Sequence, residues 1–158
     1  GAMSYLSYTL QPYGALLSLG RLALDAAEGA ALALEAVPFE PGSAQLTPPA
    51  VGYLDKLNQL LSQRQGLKLK LCGQAVGADR DYLLQLADQI ARQAGKPRTQ
   101  IIDTTQLHSW LYQLAESRGE TVKGYLQQQH KIDGKRLFSC LAKVEELSQA
   151  APRVQVGL

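Results

Sequence analysis

Arg118 sits where a charge needs a reason. Leu107, Leu111, Leu114, Arg118 and Tyr125 recur at helical spacing, so a guanidinium interrupts an otherwise apolar stripe. A buried guanidinium requires an anion or a set of hydrogen-bond acceptors. A core carboxylate can supply that; at the stripe's edge the side chain would instead snorkel to water. The second candidate is Gly73–Asp81, GQAVGADRD, whose glycines follow one element and precede a helix. Such a loop can cradle phosphate, but it lacks both G-x-G-x-x-G and the Lys-Ser/Thr of a P-loop. Cys72 and Cys140 are the only cysteines. They read first as small buried hydrophobes, and alternatively as one disulfide, expected only in an oxidising compartment. No C-x-x-C is present and His108 and His130 lie at no ligand spacing from either cysteine, so no metal is expected. The two histidines read as surface residues, and Glu116 and Glu120, four apart, as a solvated helix face. Without G-x-S-x-G no acyl-transfer site is indicated, and the chain is expected not to be an enzyme, with no cofactor.

These residues need elements to position them. Ala31 to Phe39 is apolar and reads as a strand ended by Pro38. PGS is a turn, Thr47 an N-cap and Pro48 a first helical residue. Val51, Leu54, Leu57, Leu60 and Leu61 define a buried helix face that Gly66 terminates; Leu67, Leu69 and Leu71 then alternate with Lys68 and Lys70 as a strand. Strand, helix and strand make a βαβ unit, expected parallel with a right-handed crossover.

A helix is expected over about 79–94, with Asp79 and Asp81 at its positive end and Gly95-Lys96-Pro97 as its stop. RTQIID, from Arg98, is read as a short strand or connector. A long helix follows, capped by Thr104 or Thr105 and reaching about His130. Asp133-Gly134 turns the chain into a strand over Arg136–Val144, with the Phe138, Cys140, Ala142 and Val144 side taken as the core face. A loop leads to a last strand, Arg153–Leu158. Upstream, Leu16, Leu17, Leu19, Leu22 and Leu24 suit a short apolar-faced helix that should dock rather than dangle.

Of 158 residues, 46% are hydrophobic and 19% charged, which suits one globular domain and excludes a disordered chain. A net charge of +2 with no dense basic run gives nucleic acid no footprint. No run of 18 apolar residues marks a membrane span, and no signal peptide is visible. Gly1-Ala2-Met3 matches the remnant of a cleaved expression tag, so the missing signal carries no information on localisation.

FEPGSAQL, the leucine-spaced helix and the following strand resemble the opening of the OmpA C-terminal-like domain. The matching positions are Phe39, Gly42, Ser43, Ala44 and Leu46, then Leu54, Leu57 and Leu61, then Gly73. LAESRGETVKGYL is similar to that family's Arg-bearing helix at Leu114, Arg118, Val122, Tyr125 and Leu126, and PRVQVGL to its final strand at Arg153, Val154 and Val156. The resemblance covers roughly 31–158. It implies an α/β (α+β) two-layer sandwich, with a mixed sheet of about four strands and helices on one face. To this are added an inserted helix at about 79–95 and an N-terminal helical extension over 4–30.

In that family the Arg, with an Asp from a G-H-T-D loop, binds a carboxylate of the peptidoglycan stem peptide. Here the loop reads Gly73-Gln74-Ala75-Val76, with Val76 where the Asp belongs and Asp79 and Asp81 out of register. Arg118, Gly73 and Asp79 are therefore the ligand-binding candidates, with ordinary peptidoglycan binding expected to be weakened or lost. The inserted helix, the Leu114–Leu126 helix and the QPYGALLSLG segment together resemble the variant at the C-terminal ends of large AsmA-related bacterial envelope proteins. That implies a non-catalytic periplasmic positioning module within an inner-membrane-anchored parent. Its partners would be the cell wall, an outer-membrane protein or the upstream region of the same chain. The alternatives are a small-molecule or phosphate-binding enzyme domain using Gly73–Asp81, and a structural cap on an elongated lipid-handling protein.

Overall fold

A computed structural model describes residues 34–158; the N-terminal extension expected over 4–30 lies outside them. In chain order the elements are β1 (Val37–Pro38), α1 (Pro48–Gln63), β2 (Leu69–Val76), α2 (Gly77–Ala94), α3 (Arg98–Ile101) and α4 (Thr104–Gln129). A 3-10 turn (Gly134–Arg136), β3 (Leu137–Ser139), β4 (Lys143–Glu145) and β5 (Arg153–Gly157) complete the chain. Among the described residues the sheet is mixed and five-stranded. Its order is β1-β5-β2-β3, with β4 also on β2. β5 lies antiparallel to both β1 and β2. β1 and β2 therefore run parallel, as the strand–helix–strand pattern predicts, but the last strand separates them. Among the described residues of the expected 31–39 strand, the paired ones are Val37 and Pro38, and Pro38 has no N–H to extend the ladder.

Helices cover one face of the sheet. Leu69, Leu71, Gly73 and Ala75 share a side of β2 and meet two apolar groups. Leu54, Leu57 and Leu61 of α1 join Leu69, Leu71, Val122, Leu126, Leu137 and Val154 in the larger one. Ala75, Leu83, Leu107, Leu111 and Ala115 form the smaller, under α2 and α4. Each leucine buried here is worth about 1.5–3 kcal/mol. No helix of the described residues is long and apolar enough to cross a membrane.

Local signals set the helix ends. Thr47 accepts from Ala50 N–H at 3.3 Å, with Pro48 following. The other end of α1 is finished from afar: Arg136 donates to Leu61 O, Arg64 O and Leu67 O at 2.8–3.0 Å, satisfying carbonyls that a helix leaves open. Gly95 adopts φ 63° and closes α2. α4 is capped by Asp103, not by Thr104 or Thr105. Its carboxylate accepts from Gln106 N–H at 2.8 Å while Gln106 reaches back to Asp103 N–H at 2.9 Å, a reciprocal box that a threonine without an acceptor three residues on cannot match. RTQIID is a helical turn rather than a strand.

The expected 136–144 strand is two strands. Leu71 pairs with Ser139 and Gln74 with Lys143, so three residues along β2 are matched by four along its partner. The extra residue is a bulge at Cys140–Ala142, and it inverts the side-chain alternation. Leu137 is buried while Phe138 is 49% exposed; beyond the bulge Ala142 and Val144 face the smaller core. The Phe138 side is thus solvent-facing in β3, and only the Ala142–Val144 half of the expected core face is inward.

Candidate functional site

β2 does not end at Gly73. It continues to Val76 and passes directly into α2, so the expected Gly73–Val76 loop is strand and helix start. Alternation puts Gly73 against α4, where a Cβ would lie 1.8 Å from Ala115 O. Gly119 of α4 stands over the same point, with its own ideal Cβ 3.6 Å from Gly73 N. The glycine pair lets helix and strand backbones approach closely. Gly73 therefore packs against α4 and contributes no side chain to the Arg118 site. The close approach brings the next residue over, Arg118, into the end of β2.

Arg118 and Asp79 are both fully buried and pair as a fork, Nη2 to Oδ1 at 2.6 Å and Nη1 to Oδ2 at 2.8 Å. The remaining guanidinium donors go to backbone carbonyls: Nε to Ser43 O at 2.9 Å, Nη1 to Gln74 O at 2.8 Å and Nη2 to Glu40 O at 3.1 Å. Every N–H of the group thus has its own acceptor. The carboxylate is equally engaged, accepting from Gly42 N–H at 2.8 Å and Val76 N–H at 2.9 Å as well. Asp79 stands at the third position of α2 and reaches back over the strand–helix junction. The helix's first turn, not the residue at the strand end, delivers the acid, so a valine at position 76 costs the arginine nothing. Asp79 is out of register with the family's loop in the sequence, yet helix geometry puts it in hydrogen-bonding contact with Arg118.

The F-x-x-G-S turn wraps this pair. Phe39 lies under the guanidinium, 5.5 Å from ring centroid to Cζ. Glu40 and Ser43 supply carbonyls and Gly42 an N–H. Gly42 holds φ 74° with the Tyr82 ring against it, where a Cβ would lie 2.3 Å from the ring. The signal for this role was present in the sequence as the turn's residue types, but its partner was not.

The other start of α2 that phosphate binding would use is occupied. Gly77 N–H donates to Ser148 O at 3.0 Å, and a Cβ on Gly77 would lie 2.7 Å from that oxygen. Asp81 is exposed beside Arg80. Among the described residues, no cluster of His, Cys, Asp and Glu side chains converges to hold a metal ion.

Cys72 and Cys140 are joined by a disulfide, Cα–Cα 4.8 Å. It ties the bulge to the middle of β2, next to the Cys140 N–H to Leu71 O bond; the cysteines are not independent buried hydrophobes.

Sequence reasoning missed one polar cluster. Asp55 Oδ1 accepts from Tyr125 Oη and meets His130 Nε2, each at 2.7 Å, with the Tyr125 and His130 rings edge to face. Burial pushes the Asp55 carboxyl up, but the bonds from Tyr125 and His130 and the charge of His130 outweigh it and hold it below its usual value. Burial and the Asp55 bond push the Tyr125 phenol up. Deeper, Tyr53 donates to Glu35 O and its phenol is raised by burial, then by Glu35. The cluster closes α1 against the end of α4; its residues are 70 and 75 apart in sequence, which hides it from any local pattern. His108 is a surface residue facing Glu146 at 3.6 Å.

Compared with known proteins, the chain matches no family model and no curated protein.

Proposed function

We propose that this chain is an OmpA C-terminal-like module, non-catalytic, that positions or binds within the cell envelope. In this reading it is exported to the periplasm as part of a longer, AsmA-related, inner-membrane-anchored protein. The observation that carries the reading is the saturated Arg118–Asp79 pair inside the F-x-x-G-S turn. The turn and the helix arginine are residues that carry the resemblance, while the carboxylate comes from Asp79, three residues beyond the position where the family has its acid. Here the carboxylate neutralises the arginine internally. A stem-peptide carboxylate would have to displace Asp79 and leave it buried without a counter-charge, which costs several kcal/mol. The module therefore holds the family's ionic pair as a structural pin, and its contacts with the envelope are made by other surfaces.

Export is supported by Cys72–Cys140, since such bonds persist in oxidising compartments. The test is thiol alkylation of the protein taken from its native cells without reductant, read by mass spectrometry. Neither cysteine should be alkylated. Two alkylated cysteines would overturn the periplasmic placement.

A further inference from the structure

β3 and β4 form one margin of the sheet, and among the described residues no strand pairs with their outer side. Between this margin and α4 runs a groove of about 240 Å³, floored by Gly73 and Gly119 and bounded by Cys140 and Leu141. The bulge opens it, because the backbone there leaves the β2 ladder, and the disulfide fixes the displaced wall. From the helix side Tyr112, Glu116 and Glu120 line it on one stripe. Leu141 stands at the rim, 85% exposed.

We propose that this groove binds an extended polypeptide segment of a partner protein, added beside β3–β4, with basic residues at alternate positions. An unpaired sheet margin flanked by a helix is the arrangement in which strand addition is read through side-chain pockets. The two glutamates, exposed and without a basic partner in any ion pair among the described residues, set the sign of the charge. Their spacing sets the sequence. Residues four apart on a helix rise about 6 Å, and residues two apart on a strand about 6.6 Å. One face of a Lys-x-Lys segment thus meets Glu116 and Glu120 together. Leu141 at the rim offers apolar contact to the lysine stems. Because each half of the margin is three residues long, the segment is short.

The inference rests on the chain's being a binding module, and it names the chemistry of the partner. The test uses the full chain, isotope-labelled, titrated with the peptide acetyl-Thr-Lys-Val-Lys-Val-Lys-Thr-amide. Controls are the same peptide with Glu for Lys and one with the three lysines consecutive. Amide shifts should cluster at Tyr112, Gly119 and Leu141 with the alternating Lys peptide. Affinity should fall at least tenfold with either control and with E116Q/E120Q, whose side chains are exposed and leave the fold unaffected. Groove amides that stay still at millimolar peptide, or equal binding by E116Q/E120Q, would overturn the proposal. That failure would leave the cysteine result unchanged, whereas free thiols in cells would undo the export reading without altering the titration.

Discussion

At the scale of single residues, Arg118 illustrates how strongly a buried ion pair depends on both partners. Removing either Arg118 or Asp79 leaves the other buried and uncompensated, a loss of about 3–5 kcal/mol. We expect Arg118→Ala and Asp79→Ala each to lower urea-unfolding stability by that order. The double variant should lose far less than the summed singles, because the two share one interaction. It should not return to the starting stability, since Gly42 and Val76 N–H and the carbonyls of Glu40, Ser43 and Gln74 also lose partners. Arg118→Lys should rescue little, because an ammonium cannot serve that many separated acceptors. Asp55 makes a prediction about pH. Its carboxyl titrates lower folded than unfolded. It therefore stabilises above its unfolded value of about 3.9, and that contribution disappears as pH falls through the folded value. Asp55→Asn should lower the melting temperature at pH 7, modestly because the side chain is 47% exposed. The difference from the parent should shrink as pH drops below about 4. A gap constant from pH 7 to pH 2 would contradict the assignment.

At the scale of elements, the contact of β2 with α4 is an unequal glycine pair. Gly73→Ala must push α4 away from the strand, and overpacking of this kind costs about 1–3 kcal/mol. Gly119→Ala meets only ordinary contact distances and gains helix propensity, so it should be neutral or stabilising by up to about 1 kcal/mol. Thermal unfolding of the two variants checks the asymmetry; equal effects would contradict it. The same elements show what the sequence made legible. The α1 and α4 stripes, the alternation of β2 and β5 and the stop at Gly95 follow from periodicity and turn chemistry, and the helices lie where those patterns put them. The bulge at Cys140–Ala142 did not, because one inserted residue is visible only against the register of β2. The loop assigned to Gly73–Val76 failed for a related reason. Gly73 looks like a turn signal, yet it serves contacts with Ala115 and Gly119, more than forty residues later.

At the scale of the whole molecule, the candidate site was half legible. Arg118 stood out because a charge on an apolar stripe needs a partner, and the partner is Asp79, itself a ligand-binding candidate read as out of register with the family's loop. Asp79 lies three residues beyond the family's acidic position, and the first turn of α2 brings it back over Val76. The pair then binds together the turn before α1, the end of β2, the start of α2 and the middle of α4, which a two-layer sandwich with an added helix needs at the point where they meet.

The central claim is that Arg118 is a structural pin with no donor to spare. The Arg118 Nε–H resonance of the isotope-labelled protein, followed during titration with a diaminopimelate-containing stem peptide, reports on it directly. A saturated guanidinium gives a slowly exchanging signal that does not move up to millimolar peptide. A saturable shift with a micromolar Kd would show that the guanidinium leaves Asp79 for a ligand carboxylate, and would contradict it.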